Sequence, residues 1–303
     1  MLTIFQRSMS YRKPREVREF NKGAWIHLEK PSEDELKEAA TALDVEIDNL
    51  KDALDPYEAP RLEVEDKNVY TFIRYAQNDS TVPILIVVAP DGLLTVSQQE
   101  NSPVIDKFIT GSLDFYTTQK ARFLLLVLAE VNKRYTVALA GIRKEINRSK
   151  TRPDVMTSKD IVKFVNYEST VNDYLDALIP QQVVLNKILL GKVLEIHEDD
   201  EDLVEDLILS TNQMIESSRA ALRTMMNIRG AYTAISTERL NTIIRRLTAI
   251  TVLLTVPTVI TSFYGMNVPL PGGNTAETPF VILGVILLVA LLLFLTLSQK
   301  KWL

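Results

Sequence analysis

Asn241, Thr248, Thr251, Thr255, Thr258 and Ser262 recur along a largely apolar stretch near the C-terminal end. On a helix of 3.6 residues per turn they share one face about 100° wide. None of these side chains ionises near neutral pH, so the stripe offers no acid, base or activated nucleophile. It offers amide and hydroxyl oxygens, which suit a hard cation that keeps most of its water. Two readings follow from the spacing. The hydroxyls can glue membrane helices together or satisfy carbonyls freed by Pro257. Alternatively they form the wall of a water-filled pathway. Periodicity alone leaves both open.

The elements that must position this stripe are two uncharged runs, Leu247 to Phe263 and Phe280 to Leu297. Each is about the 17 to 25 residues a helix needs to cross a bilayer core. Lipid gives backbone groups no partners, so both runs are expected to be helical, joined as a hairpin by a Pro/Gly-rich loop. The second run is almost wholly aliphatic. Arg239, Arg245 and Arg246 flank the first run, and Lys300 and Lys301 follow the second, whereas Val268 to Pro279 carries only the acid Glu277. Positive ends stay inside, which places both termini in the cytoplasm of a multi-pass protein of the cell membrane. The opening residues contain no apolar core of signal-peptide length.

The first run ends in Tyr264-Gly265-Met266-Asn267. Gly and Asn at a helix end can be no more than a left-handed stop. In this setting, though, the tetrapeptide resembles the signature of the CorA-type magnesium transporters. Pro257-Thr258 ahead of it, Asn241 at the inner end of the helix and the terminal Lys300-Lys301-Trp302-Leu303 extend the resemblance. It implies an α+β cytoplasmic domain, a long stalk helix and two C-terminal transmembrane helices, assembled as a funnel-shaped homopentamer. It further implies a Mg²⁺ channel driven by the membrane potential and closed by cytoplasmic Mg²⁺. The family's inter-subunit regulatory acids fall by position on Asp52 and Asp206. The loop departs from the family pattern, because Val268-Pro269-Leu270-Pro271-Gly272-Gly273 carries no acid.

Composition narrows the alternatives. Net charge is −5, which argues against nucleic-acid binding. There is no cysteine, and His27 and His197 are the only histidines, so thiolate or imidazole metal centres are disfavoured. No phosphate-cradling GxxxxGK[ST] loop is present, and nothing points to a nucleotide or to an enzyme. A related transporter of Zn²⁺, Co²⁺ or Ni²⁺ is the alternative, which the scarcity of soft ligands disfavours. A non-conducting membrane scaffold is another.

Residues 1–115 read as the α/β domain. Strands are expected at Ala24 to Leu28, Asn68 to Tyr75, Val82 to Val88 and Leu93 to Val96. Ser32 and Glu35 form a capping box for a helix from Glu33 to about Leu43. Short helices follow at Val45 to Leu54 and from Ser102-Pro103 to Gly111. Trp25 and His27 read as core or strand-face residues. Residues 116–198 read as helical, with breaks at Pro153 and Pro180. The acidic run from His197 to Asp202 suits a solvated helix start or attraction of Mg²⁺.

Residues 199–267 form the stalk helix and first membrane span, on the order of 90 Å long at 1.5 Å per residue. Val204, Leu207, Thr211, Met214, Ser218, Ala221, Met225, Ile228, Tyr232 and Ile235 follow heptad-like spacing, and their mixed sizes suggest a loose bundle. Residues 268–279 are the external loop, 280–297 the second span and 298–303 a basic tail.

One hairpin cannot enclose a pore, so several copies must surround an axis, in contact with membrane lipid outside. The expected lining runs inward from Asn267 through Ser262, Thr258, Thr255, Thr251, Leu247 and Ile244 to Asn241. Gly265, Met266 and Asn267 would form the selectivity ring. Leu247 and Ile244 would form an apolar constriction able to gate by dewetting.

Overall fold

The structure is a computed structural model that describes residues 1–8, 13–150, 156–191, 193–268, 277–300 and 302. It contains two compact units, Met1–Ile228 and Arg229–Leu303. The first is built on a seven-stranded sheet: β1 (Leu2–Gln6), β2 (Arg15–Val17), β3 (Ala24–Glu29), β4 (Arg61–Glu65), β5 (Asn68–Gln77), β6 (Ser80–Val88) and β7 (Gly92–Ser97). Their order is β2-β1-β3-β7-β6-β5-β4. Only β3 and β7 run parallel. Gly92 begins β7 because the backbones approach closely there: a Cβ would lie 2.7 Å from the Ala24 carbonyl oxygen.

Both faces of the central strands are covered, so these strands read as continuous apolar runs rather than alternating ones. The period of two still sorts the faces. Ile26, Leu28, Tyr70, Phe72, Leu85 and Val87 meet Leu36, Ala39 and Leu43 of α1 (Glu33–Leu43), with Leu50 of α2 (Ile47–Asp52). The alternate residue Trp25 joins Phe108 of α3 (Asp106–Ile109), Phe115, and Phe123 of α4 (Lys120–Lys150), with ring centroids 5.1 to 6.4 Å from its own. The capping box at Ser32 forms as expected: the Glu35 amide donates to Ser32 Oγ at 3.3 Å, and the Ser32 amide donates to Glu35 Oε2 at 2.8 Å. His27 is core, 2.8 Å from Thr95 Oγ1 through Nδ1, and burial pushes its pKa down to about 4.

Pro180 does not end a helix. It lies inside α5 (Ser158–Leu189), whose N-cap is Thr157 in a capping box with Asp160. An interior proline forfeits one backbone hydrogen bond. Here Ala177, Leu178, Gln181, Val184 and Leu185 are buried on either side of it, and their packing outweighs that loss. Pro153 lies outside the described residues.

The long helix α6 (Glu198–Tyr264) is continuous through Gly230 and Pro257. Its heptad-like seam from Val204 to Ile228 is buried within the chain. Asn132 of α4 accounts for Thr211, one of the small polar members of that seam. Its Nδ2 donates to Ser210 Oγ and Thr211 Oγ1, both at 2.9 Å, while its Oδ1 accepts from Gln181 of α5 at 2.7 Å. The seam therefore serves an intrachain three-helix core over this stretch, where sequence alone suggested only a loose bundle.

Candidate ion pathway

In the Arg229–Leu303 unit, the end of α6 is followed by α7 (Thr278–Gln299), which opens with a proline at its first turn. Among the described residues these are the two helices long and apolar enough to cross a membrane. Asn241, Ile244, Leu247, Thr251, Thr255, Thr258 and Ser262 are all exposed in the single chain. By contrast, Ala249 is fully covered, and Leu253, Val256 and Ile260 are half-buried. At 3.6 residues per turn this covered strip lies roughly 150° around the helix from the polar stripe. On α7, Ile282, Ile286, Val289, Leu293 and Leu297 likewise form one partly covered strip. The hairpin thus shields the back of α6 and leaves the stripe open.

The hydroxyls have a defined orientation. Thr248 Oγ1 donates to the Ile244 carbonyl at 2.9 Å and Thr251 Oγ1 to that of Leu247 at 2.8 Å. Thr255 and Thr258 donate to the carbonyls of Thr251 and Leu254, both at 2.7 Å. Pro257 frees the carbonyl of Leu253, four residues back. None of these four hydroxyls bonds to Leu253, so the stripe does not repair the proline gap. Each of these four hydroxyls has spent its only proton on the helix, and its two lone pairs can only accept. Thr255, Thr258, Ser262 and Met266 share a shallow groove of about 510 Å³ with Leu254, Val259 and Phe263.

The end of α6 is not a left-handed stop, since neither Gly265 nor Asn267 has positive φ. The Gly265 amide donates to the carbonyls of Thr261 at 3.0 Å and Ser262 at 3.2 Å, and the Met266 amide to that of Phe263 at 3.4 Å. A Cβ on Gly265 would lie 3.2 Å from the Thr261 oxygen. Glycine is therefore favoured by the tightness of this last turn. Met266 and Asn267 beyond it are exposed. Of the loop that lacks the family's acids, residues 269–276 lie outside the described residues.

The two candidate regulatory acids have different surroundings. Asp52 ends α2, and its Oδ2 accepts from Arg61 Nη2 at 2.8 Å. Arg61 also donates from Nε to Glu63 at 2.7 Å and from Nη1 to Glu58. Its guanidinium carbon stands 3.8 Å from the centre of the Phe72 ring, its register partner on β5. Burial opposes the Arg61 charge, but Glu63, Glu58 and Asp52 outweigh it and raise the pKa above the ordinary value. Asp206 is exposed on α6, and no hydrogen bond, ion pair or metal-holding cluster among the described residues joins it to Asp52. In the acidic run at the start of α6, Asp200 is buried and bonded to Arg122 at 2.5 Å. Sequence reasoning gave no role to Arg61, although its place nine residues after Asp52, beside Glu58 and Glu63, was the available signal.

A model of the CorA-like Mg²⁺ transporter protein family matches residues 20–301. The Cobalt/magnesium transport protein CorA of Methanocaldococcus jannaschii is 24% identical over 292 residues, covering 92% of this chain and 90% of that protein. The complete structure of the CorA magnesium transporter from the same organism superposes with a TM-score of 0.88 at 18% identity, covering 100% of this chain and 99% of that one. The cytoplasmic domain of ZntB from Vibrio parahaemolyticus matches 78% of this chain and 98% of its own, with a TM-score of 0.63 at 14% identity.

Proposed function

The chain belongs to the CorA-like Mg²⁺ transporter family, and from that premise we propose that it conducts Mg²⁺ into the cell through a pore shared by several copies, a homopentamer. The supporting observation is the stripe on the open face of α6, opposite its covered strip, in which the hydroxyls of Thr248, Thr251, Thr255 and Thr258 donate to the helix and are left to accept. A hydrated Mg²⁺ presents water hydrogens outward, and a ring of hydroxyl oxygens without free protons is complementary to them. Neutral oxygens hold the hydrated ion weakly enough to release it. Asn267, with Gly265 and Met266, forms the outer selectivity ring. Ser262, Thr258, Thr255 and Thr251 carry the ion inward past Leu247 and Ile244 to Asn241. With two charges moved, a potential of 100 mV supplies about 4.6 kcal/mol.

Regulation is part of the same reading. Asp52 of one copy and Asp206 of the next take a cytoplasmic Mg²⁺ that favours the closed arrangement. Carboxylate oxygens suit this hard ion. In the single chain, however, Arg61 already engages Asp52.

The test is Mg²⁺ entry into liposomes carrying the full chain, with an indicator dye inside and a negative internal potential. Uptake is expected to be potential-driven and slowed by raised internal Mg²⁺. A chain that assembles in the bilayer but passes no Mg²⁺ would be a scaffold. Preference for Zn²⁺ or Ni²⁺ over Mg²⁺ would favour the soft-ion alternative.

A further inference from the structure

We propose that Arg61 is the resident counter-cation of Asp52 and sets the Mg²⁺ concentration at which this carboxylate can be recruited to close the pathway. The inference rests on the regulatory reading of Asp52 given above and adds a residue to it.

Three of the guanidinium's directions are occupied. Nη2 takes Asp52, Nη1 takes Glu58 and Nε takes Glu63. The flat face lies over Phe72, so the group is fixed in position as well as in charge. Fork-shaped donation of this kind is specific to arginine. Asp52 stands at the C-terminal end of α2, where the helix dipole disfavours an acid, and Arg61 offsets that cost. The Asp52 side chain is 48% exposed, whereas those of Glu58 and Arg61 are 17% and 27% exposed. Asp52 is thus the most open member of the cluster, with Glu63 next at 40%, and Arg61 is its inner anchor.

A Mg²⁺ ion on Oδ1 alone sits against the positive guanidinium, so full engagement of the Asp52 carboxylate requires Nη2 to loosen from Oδ2. The ion's apparent affinity is then its affinity for the freed carboxylate, reduced by the small fraction of time that the carboxylate is free. Three acids around one guanidinium leave an excess of negative charge that draws a divalent cation to the rim. The pair therefore acts as a threshold: attraction is present at all times, and engagement follows only when the ion outcompetes the arginine.

The experiment measures two curves on the full chain in liposomes: inhibition of Mg²⁺ flux by internal Mg²⁺, and Mg²⁺ protection against chymotrypsin, whose cleavage does not depend on arginine. Arg61→Gln is expected to move both midpoints to about threefold to fivefold lower Mg²⁺, the scale of one partly exposed ion pair. Arg61→Lys keeps the charge without the fork and is expected to move them part of the way. It also serves if the glutamine variant does not fold. Asp52→Asn should move both midpoints to higher Mg²⁺ and abolish the effect of Arg61→Gln. Unchanged midpoints in both Arg61 variants, with Asp52→Asn still shifting them, would overturn the role of Arg61 and leave the regulatory reading standing. An Arg61→Gln shift that persists in the Asp52→Asn background would also overturn it. If Asp52→Asn alone changes neither curve, the regulatory reading fails and the role of Arg61 falls with it.

Discussion

His27 is a base kept neutral by its surroundings, and its titration should be visible in stability. Its pKa is lowered from 6.5 to about 4, mainly by burial, so between those values the unfolded chain binds a proton that the folded chain refuses. Stability is then full above about pH 6.5 and lost as pH falls toward 4, by about 3 kcal/mol at most. The thermal midpoint of the wild type should fall between pH 7 and pH 5 by more than that of His27→Gln. Equal falls would mean that other groups carry the acid sensitivity. The buried place of this histidine was legible, because it sits in an apolar strand beside Trp25. The pairing of Asp52 with Arg61 was signalled only by their spacing and by the acids around Arg61, because β4, which brings Arg61 back beside α2, is a short and weakly marked strand. A left-handed stop was one sequence reading of Gly265, and the structure gives the residue an ordinary φ and a close approach to the Thr261 oxygen instead. The left-handed stop is the commoner use of glycine at a helix end, and the short distance to the Thr261 oxygen appears only in three dimensions.

Elements with strong local chemistry were readable. The capping box placed the start of α1, and β5, β6 and β7 were found from their apolar runs to within two residues at either end. The missed strands are weak for identifiable reasons. β4 reads Arg-Leu-Glu-Val-Glu at the sheet edge: it alternates polar and apolar residues, but it is only five residues long and carries three charges, which protect the edge and weaken the strand signal. β1 and β2 are five and three residues long and gain their order from pairing with β3 and with each other. Pro180 misled because a proline's local cost is real, and the buried residues around it count only after folding.

In α6, the orientation of the hydroxyls bears on separate predictions for conduction and for gating. Thr255→Val removes one acceptor while keeping shape, and is expected to reduce Mg²⁺ flux several-fold with the assembly unchanged. Unaltered flux would return that hydroxyl to a packing role. Leu247→Asn should wet the apolar constriction and raise leak at high internal Mg²⁺, measured in the same liposomes. No change in leak would place the constriction elsewhere.

If α6 carries the ion, one chain is not the whole conductor. Its polar stripe and the apolar residues of both spans are open in the monomer, and a pathway needs a ring of such stripes. Because the chain has no cysteine, a single Thr258→Cys variant gives an unambiguous probe of that ring. Each thiol reacts once, so a flexible bis-maleimide should join such copies in the membrane only in pairs, while an amine-reactive cross-linker acting on the several lysines of each copy should give a ladder that stops at five. A ladder that stops at two would contradict the ring. The family relationship and the fold are established over nearly the whole chain, and the central remaining claim is that α6 carries the ion and Asn267 admits it. The most direct measurement compares Mg²⁺ uptake by wild type and Asn267→Ala at equal density in liposomes, with the oligomer verified in each sample. Loss of potential-driven uptake from an intact Asn267→Ala assembly is the predicted result. Uptake at the wild-type rate would contradict the account.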